Sequence, residues 1–425
     1  MTTNQSPNET ICITELPNGI RIVSEFVGTV DSVSLGLWIG TGSCDESPEE
    51  AGITHFIEHM LFKGTDTRTA HKIADDIEAG GGQLNAFTSK DVTCYDARVL
   101  TGEIETAMDV LCDMLCNSIF DEEEIAREKL VVLEEIKMID DTPEEAVMDL
   151  YDLTAFGSNP LAPPVLGSAK TVTNFTRDMI TNTISSRYRP NRIVIAAAGN
   201  LRHDKLVDLA TRYLGHLNGA AKPRPSVPLT TASAEKRVTK RDAEQVHFVI
   251  GGPGFSRFDS RRYSLSILNN CLGGNMSSRL FQEIREKRGL AYSIGTYSRS
   301  YETGGSFCAY GGTSSENFDK VVELTRTEFD RVRQDGLTGD ELRKSLRQMH
   351  GMIALGLEAM PSRMARLGES MMSHNRVIPL HEVFELYQAV NHETVLDAAR
   401  LALEPNDIAM AAIGPFKPTR KRRAN

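Results

Sequence analysis

The stretch GITHFIEHMLFKGT, Gly52–Thr65, places two histidines four positions apart, His55 and His59, with Glu58 directly before the second. At about 100° per residue, Ile53, Phe56, Ile57, Met60 and Leu61 fall on one stripe of a helix. His55, Glu58 and His59 gather on the opposite side, so the helix buries one face and presents three polar groups together on the other. Imidazoles at i and i+4 stand one turn apart and can both bind a single Zn2+ at about 2.0–2.1 Å. A carboxylate at i+3 can hydrogen-bond a metal-held water without binding the metal itself, and so serve as general base. The competing reading is a solvated polar face that carries two histidines by coincidence.

A catalytic zinc needs a third protein ligand and an open position. The segment DEEEIAREKLVVLEEIKMIDD, Asp121–Asp141, reads as a helix with Asp121 as its N-cap. Ile125, Val132, Ile136 and Ile139 share its apolar face, and Glu128 and Glu135 sit nearly in line at the border of that face. Glu134 points the other way, towards water. The helical period therefore selects Glu135 as the third ligand and Glu128 as an outer partner that supports the ligands. Glu122, Glu123, Glu124 and Glu134 read as a solvated face.

The rest of the chain bounds this chemistry. Its 425 residues exceed one ordinary core, and 40% apolar with 25% charged residues is ordinary globular composition. No apolar run reaches the length of a membrane span. The start MTTNQSPNET has neither a basic-then-apolar signal nor an Arg-rich amphipathic pattern. The bacterial cytoplasm is the expected location, or the mitochondrial matrix for a eukaryotic chain. Seven scattered cysteines without a CxxC fit a reducing compartment. Cys112 and Cys116 share a helix face; packed core thiols are favoured over a thiolate ligand pair. A net charge of −11 argues against nucleic acid and is compatible with an acidic chamber that attracts basic peptides. The tail KPTRKRRAN runs against that trend and reads as a solvated end.

Two nearly equal halves are expected. HLNGAAKPRPSVPLTTASAEK, His216–Lys236, has linker composition. PNRIVIAAAG from Pro190 is echoed by PNDIAMAAIG from Pro405, an offset of 215 residues. Each reads as a buried strand late in its half. The division is 1–217 for a zinc-binding half, 218–236 for the linker and 237–425 for a homologous half. Strands are expected in GIRIVSEF and SVSLGLWIG, with a hairpin from GGQLNAFTSK into DVTCYDARVL. Helices are expected near 50–62, 70–79, 103–118, 121–140 and 202–215, then near 260–272, 276–288, 316–334 and 338–358.

The order His-x-x-Glu-His, then a Glu 76 positions beyond His59, resembles the inverted-motif zinc peptidases. More narrowly, HFIEHMLFKGT, GGQLNAFTSKD, REKLVVLEEIKM, YRPNRIVIAAAGN and REKRGLAYSIGTYS resemble the pitrilysin-like family, in the branch of the mitochondrial processing peptidase and its bacterial homologues. These pieces span nearly the whole chain. One departure is SNPL, with Asn159 where the family often has His; that position is not a ligand.

The resemblance implies an α+β fold of two homologous α/β-sandwich halves joined by a linker, half of a clam-shaped chamber. It implies one Zn2+ per chain on His55, His59 and Glu135, with Glu58 as base and Glu128 as the supporting acidic residue. Zinc would polarise the scissile carbonyl, and Glu58 would move the proton from water to the leaving amine. Substrate would add as a strand along an edge, contacting Asn85, Ala86 and Phe87. By composition alone these three belong to an ordinary hairpin. In the second half, Arg285 and Tyr292 match the family's Arg/Tyr pair, Arg285 for a substrate carbonyl and Tyr292 for the oxyanion. Without the resemblance they would be a surface Arg and a half-buried strand Tyr. Gly289 ends the helix between them.

The second half lacks HxxEH; the offset lands on Asn270, Gly273 and Gly274, none of which can replace the lost ligands. Because this one chain carries both the zinc motif and the Arg/Tyr pair, the expected partner is a second copy, with a heterodimer as the alternative. The expected function is zinc-dependent hydrolysis of extended, basic peptides, presequence-like or short and unfolded. The alternative is a non-catalytic structural or peptide-capturing subunit of a larger complex.

Overall fold

The computed structural model describes residues 11–416; the start MTTNQSPNET and the tail KPTRKRRAN, with the targeting and solvated-end expectations placed on them, lie outside the described residues. Strands β1 (Ile11–Glu15), β2 (Arg21–Phe26) and β3 (Ser32–Ile39) lead into helices α1 (Ile53–Leu61) and α2 (Ala70–Glu78). The hairpin β4 (Gln83–Thr88) and β5 (Thr93–Leu100) follows, then α3 (Ile104–Asn117), α4 (Glu122–Asp141), α5 (Pro143–Phe156), α6 (Ala169–Asn174), α7 (Arg177–Arg187), β6 (Ile193–Gly199) and α8 (His203–Leu214). After 217–234, which holds no helix or strand, come β7 (Glu235–Thr239), β8 (Val246–Gly254), α9 (Arg261–Leu272), a π-helical segment Phe281–Glu286, β9 (Ala291–Ser300) and β10 (Gly305–Thr313). The described residues continue through α10 (Phe318–Asp335), α11 (Gly339–Gly356), α12 (Met360–His374), α13 (Leu380–Gln388), α14 (His392–Ala402) and β11 (Ala409–Gly414).

The strands form two sheets. The first runs β1-β2-β6-β3-β5-β4 and the second β7-β11-β8-β10-β9. In the first, β2 and β6 are parallel and the other pairs antiparallel. In the second, β7 and β11 are parallel and the other pairs antiparallel. The second order is the first with β1 removed, so β6 and β11 occupy the same place. These are the two strands of the internal echo. Both are apolar throughout and buried at every residue, as a strand covered on both faces must be. The chain is an α+β protein of two repeated α/β halves.

Two compact units emerge from the contacts. Among the described residues, one is 11–136 with Pro163–Pro225 and Met352–Pro379; the other is Lys137–Ala162 with Ser226–Gly351 and 380–416. Helix α12 thus belongs with the first sheet and α5 with the second, each lying far in sequence from the strands it covers. On the first sheet, Met364, Leu367 and Met371 of α12 are buried against Val23, Trp38 and Val194. Trp38 Nε1 donates to Met364 Sδ at 3.3 Å. The fit is close: a Cβ at Gly368 would lie 2.3 Å from the indole, so only glycine passes there. On the second sheet, Tyr151 of α5 is fully buried, and Asp152 pairs with Arg299 of β9 at 3.2 Å. The first part of the linker stays with the first unit, where Arg224 pairs with Asp45 at 2.6 Å.

In the first unit, Ile53, Phe56, Ile57, Met60 and Leu61 of α1 are all buried, as their spacing predicts, in one core with Leu35 and Leu37 of β3 and Leu111 of α3. Each such side chain contributes roughly 1.5–3 kcal/mol on burial. That packing holds the other face of α1 in place.

Candidate metal centre

Helix α1 begins abruptly. Gly52 has φ +92°, and a Cβ there would meet the Leu166 carbonyl oxygen at 2.4 Å. Glu46 caps the free end: its carboxylate accepts from the backbone N–H of Gly52 at 2.7 Å and of Thr54 at 2.8 Å. Burial pushes the Glu46 carboxyl up to about 7, against these hydrogen bonds. Helix α4 starts as predicted, with Asp121 Oδ1 accepting from the backbone N–H of Glu123 and Glu124 at 2.9 and 3.1 Å. Ile125 and Val132 are buried, as is Glu128, while Glu134 is exposed.

The two helices bring His55, His59 and Glu135 together. Their ligand atoms lie within 4.8 Å of one another, and no other such His/Cys/Asp/Glu group of three occurs among the described residues. Glu135 Oε2 is 3.8 Å from His55 Nε2 and 3.7 Å from His59 Nε2. The imidazole centroids are 4.6 Å apart. The polar face of α1 is turned away from open water: His55 is 7% exposed, and Glu58 and His59 are half-buried. Cys112 is buried and Cys116 half-buried. Burial raises the Cys112 thiol and pushes that of Cys116 up to about 11, as expected of packed core thiols.

This donor set fits zinc. Glu135 Oε2 is buried, has no hydrogen-bond partner among the described residues and faces both Nε2 atoms, and a buried carboxylate oxygen without a partner is costly. An ion held at about 2.0–2.1 Å from each ligand would sit between such atoms. Burial, with the neighbouring His59 adding to it, pulls the His55 imidazole down to about 4, so it is neutral and keeps a lone pair. His59 Nδ1 donates to Glu128 Oε1 at 2.7 Å, which leaves Nε2 to face Glu135. Burial lowers the His59 pKa, but the hydrogen bond and charge of Glu128 outweigh it and hold it above the usual value. Lys63 Nζ holds the other Glu128 oxygen at 2.6 Å. Burial raises the Glu128 carboxyl, but its bonds to His59 and Lys63 outweigh that and keep it below the usual carboxylate range.

Glu58 lies beside this group. Burial raises its carboxyl above the usual range, while a hydrogen bond from Thr88 acts the other way. Thr88 ends β4, the strand that closes the first sheet on one side. Asn85 and Phe87 of β4 are exposed and Ala86 is partly buried. Phe87 packs edge-on against Trp38, with ring centroids 5.6 Å apart.

Arg285 and Tyr292 belong to the second unit, where they meet. The guanidinium lies 4.9 Å from the centre of the Tyr292 ring and 4.7 Å from that of Phe281. Arg285 falls in the π-helical segment, a conformation not foreseen from the helical spacing. Gly289, at φ +61°, turns the chain into β9. Tyr292 is 76% exposed, at the start of the second sheet's edge strand, rather than half-buried. Asn270 of α9 is buried and donates to Ser345 Oγ and Gln348 Oε1 of α11, both at 2.7 Å.

Residues 21–169 match the family model described as insulinase (peptidase family M16), and residues 174–349 match the peptidase M16 inactive domain. The chain is 42% identical over 94% of its length to the uncharacterized zinc protease YmxG of Bacillus subtilis, covering 97% of that protein. An uncharacterized zinc protease of Streptomyces coelicolor is 40% identical over 96% of this chain and 90% of its own.

The chain belongs to peptidase family M16. The fold of two solved structures agrees with this placement. A peptidase M16 inactive domain structure from Pseudomonas fluorescens has a TM-score of 0.89 at 20% identity, over 96% of this chain and 98% of that one. A protease from Helicobacter pylori has a TM-score of 0.88 at 20% identity, over 94% and 98%. The M16 inactive-domain match takes in α9 and the first part of α11, whose crossing carries the hydrogen-bonded Asn270, Ser345 and Gln348.

Sequence reasoning did not single out Glu46, Lys63 or Thr88. Lys63 follows His59 by four positions, which could have placed it beside Glu128. The contacts of Glu46 and Thr88 depend on loop and hairpin geometry that no periodicity encodes.

Proposed function

We propose that this M16 chain is a zinc metalloendopeptidase that hydrolyses extended peptides, presequence-like or short and unfolded. The observation that carries the reading is the convergence of His55, His59 and the partnerless Oε2 of Glu135, with Glu58 on the same helix face. Bound there, zinc supplies a Lewis acid that polarises the scissile carbonyl and acidifies water. His55, His59 and Glu135 hold it; Glu128 orients His59 through Nδ1. Glu58 takes a proton from the attacking water on Oε1, the oxygen left free by Thr88, and delivers it to the leaving amine nitrogen. Its raised pKa suits a group that must both accept and return a proton.

The peptide adds along the open edge of β4, with main-chain bonds at Asn85, Ala86 and Phe87. Acidic overall balance favours basic peptides. Among the described residues no helix is long and apolar enough to cross a membrane. Arg285 and Tyr292 act from a second copy of the chain, Arg285 on a substrate carbonyl and Tyr292 on the oxyanion. Mixing Arg285→Ala with Glu58→Gln protein should then restore up to about a quarter of wild-type activity, because one combination of chains regains an intact site. Mixed dimers that form and stay inactive would contradict the shared site.

The direct test compares wild type with Glu58→Gln on an extended, Arg-rich quenched fluorescent peptide, as rate per mole of bound zinc. Wild type should cleave, and the variant should lose at least ~100-fold in kcat while keeping its zinc. A fully zinc-loaded wild type, mixed with no other chain, that binds the peptide and leaves it intact would favour a peptide-capturing subunit instead.

A further inference from the structure

Strand β4 joins the proposed docking edge to the proposed base. Among the described residues, no strand lies beyond its outer edge. Its side chains alternate: Gln83, Asn85 and Phe87 are exposed, while Leu84, Ala86 and Thr88 are partly buried. Leu84 and Ala86 pack against the core that also holds the apolar stripe of α1. Thr88, last in the strand, donates its hydroxyl to Glu58 Oε2 at 2.5 Å. We propose that Thr88 is a positioning residue that couples the docking of a peptide along β4 to the orientation of Glu58.

The stiffness of the two side chains supports this. Threonine is β-branched and has a single restricted rotor, so where the β4 backbone goes its hydroxyl follows. Glutamate has several rotors, and an unrestrained one spends little time in a single orientation. A strand paired along β4 restrains the backbone from Gln83 to Thr88 and therefore the point to which Glu58 Oε2 is tied. Binding energy gained at main-chain pairs away from the scissile bond is thereby used to aim Oε1, which raises kcat rather than lowering KM. The inference rests on the peptidase reading and adds to it a dependence of kcat on substrate length.

The test measures kcat, KM and bound zinc for wild type, Glu58→Gln, Thr88→Val, Thr88→Ala and Thr88→Ser. Each is assayed on an extended decapeptide and on a blocked dipeptide too short to pair along β4. Wild type should turn over the long peptide about tenfold faster or more than the short one. Thr88→Val and Thr88→Ala should lose ~10–100-fold in kcat on the long peptide, with KM changed less than about threefold and zinc unchanged. Their long-to-short ratio should fall to within about twofold of unity, and Thr88→Ser, which keeps the hydroxyl on a freer rotor, should restore it in part. The coupling is overturned if either hydroxyl-free variant, holding zinc, keeps the wild-type kcat and length ratio, or if Thr88→Ser is no better than Thr88→Val. A wild type that cleaves neither peptide, or a Glu58→Gln variant as fast as wild type, overturns the peptidase reading itself.

Discussion

Two helix crossings, one in each half of the repeat, carry different chemistry. Where α1 meets α4, two imidazoles, the carboxylates of Glu128 and Glu135, and the Lys63 ammonium converge, with Glu58 alongside. Where α9 meets α11, the buried amide of Asn270 donates to a serine and a glutamine, and Arg279 pairs with Glu341 at 2.7 Å. The strand order around the two crossings is the same apart from β1. The scaffold therefore does not require the two imidazoles and their carboxylates. Half-buried ionic groups are costly unless something pairs them, and Glu135 Oε2 is left without a partner among the described residues. At the α9–α11 crossing the polar groups and the one ion pair satisfy each other; the α1–α4 crossing aims a partnerless carboxylate oxygen at two imidazoles, a donor set that fits a metal.

The comparison can be sharpened by weakening one crossing at a time. Glu128→Gln removes the ionic partner of His59, and Lys63→Met removes the cation that holds Glu128. Zinc affinity should fall by ~100-fold in the first and ~10-fold in the second. Competition with a chromophoric chelator reads this directly; an unchanged affinity in both would show that the outer partners do not support the ligands. At the other crossing, Asn270→Ala should destabilise the protein by ~2 kcal/mol, because buried Ser345 loses its amide partner. Denaturant unfolding would show the loss, and zinc affinity should stay within about twofold of wild type. A fall in zinc affinity with Asn270→Ala would break the claim that the two crossings act separately.

Much of this contrast was legible in the residues. The 3.6 period placed His55, Glu58 and His59 on one face and separated Glu135 from Glu134. The echo between Pro190 and Pro405 marked two strands in equivalent places. What could not be read was set by distant partners. Helices α5 and α12 cover sheets built from remote parts of the chain, and helical spacing identifies an apolar face but not its sheet. The MPSRMARLGESMMSH helix was missed outright; its Met-rich packing against Trp38 has no local signature. The π-helical segment at Arg285 also escaped, since the spacing of its apolar residues reads as an ordinary helix. Glu46, Lys63 and Thr88 act through contacts that only the fold creates.

The most direct measurement is zinc content per chain, taken after dialysis against metal-free buffer, for wild type and for a His55→Ala/His59→Ala double variant with native stability. One equivalent in the wild type and less than about a tenth in the variant would place the metal at the α1–α4 crossing alone. A wild type that binds no zinc, or a variant that keeps a full equivalent, would contradict the assignment.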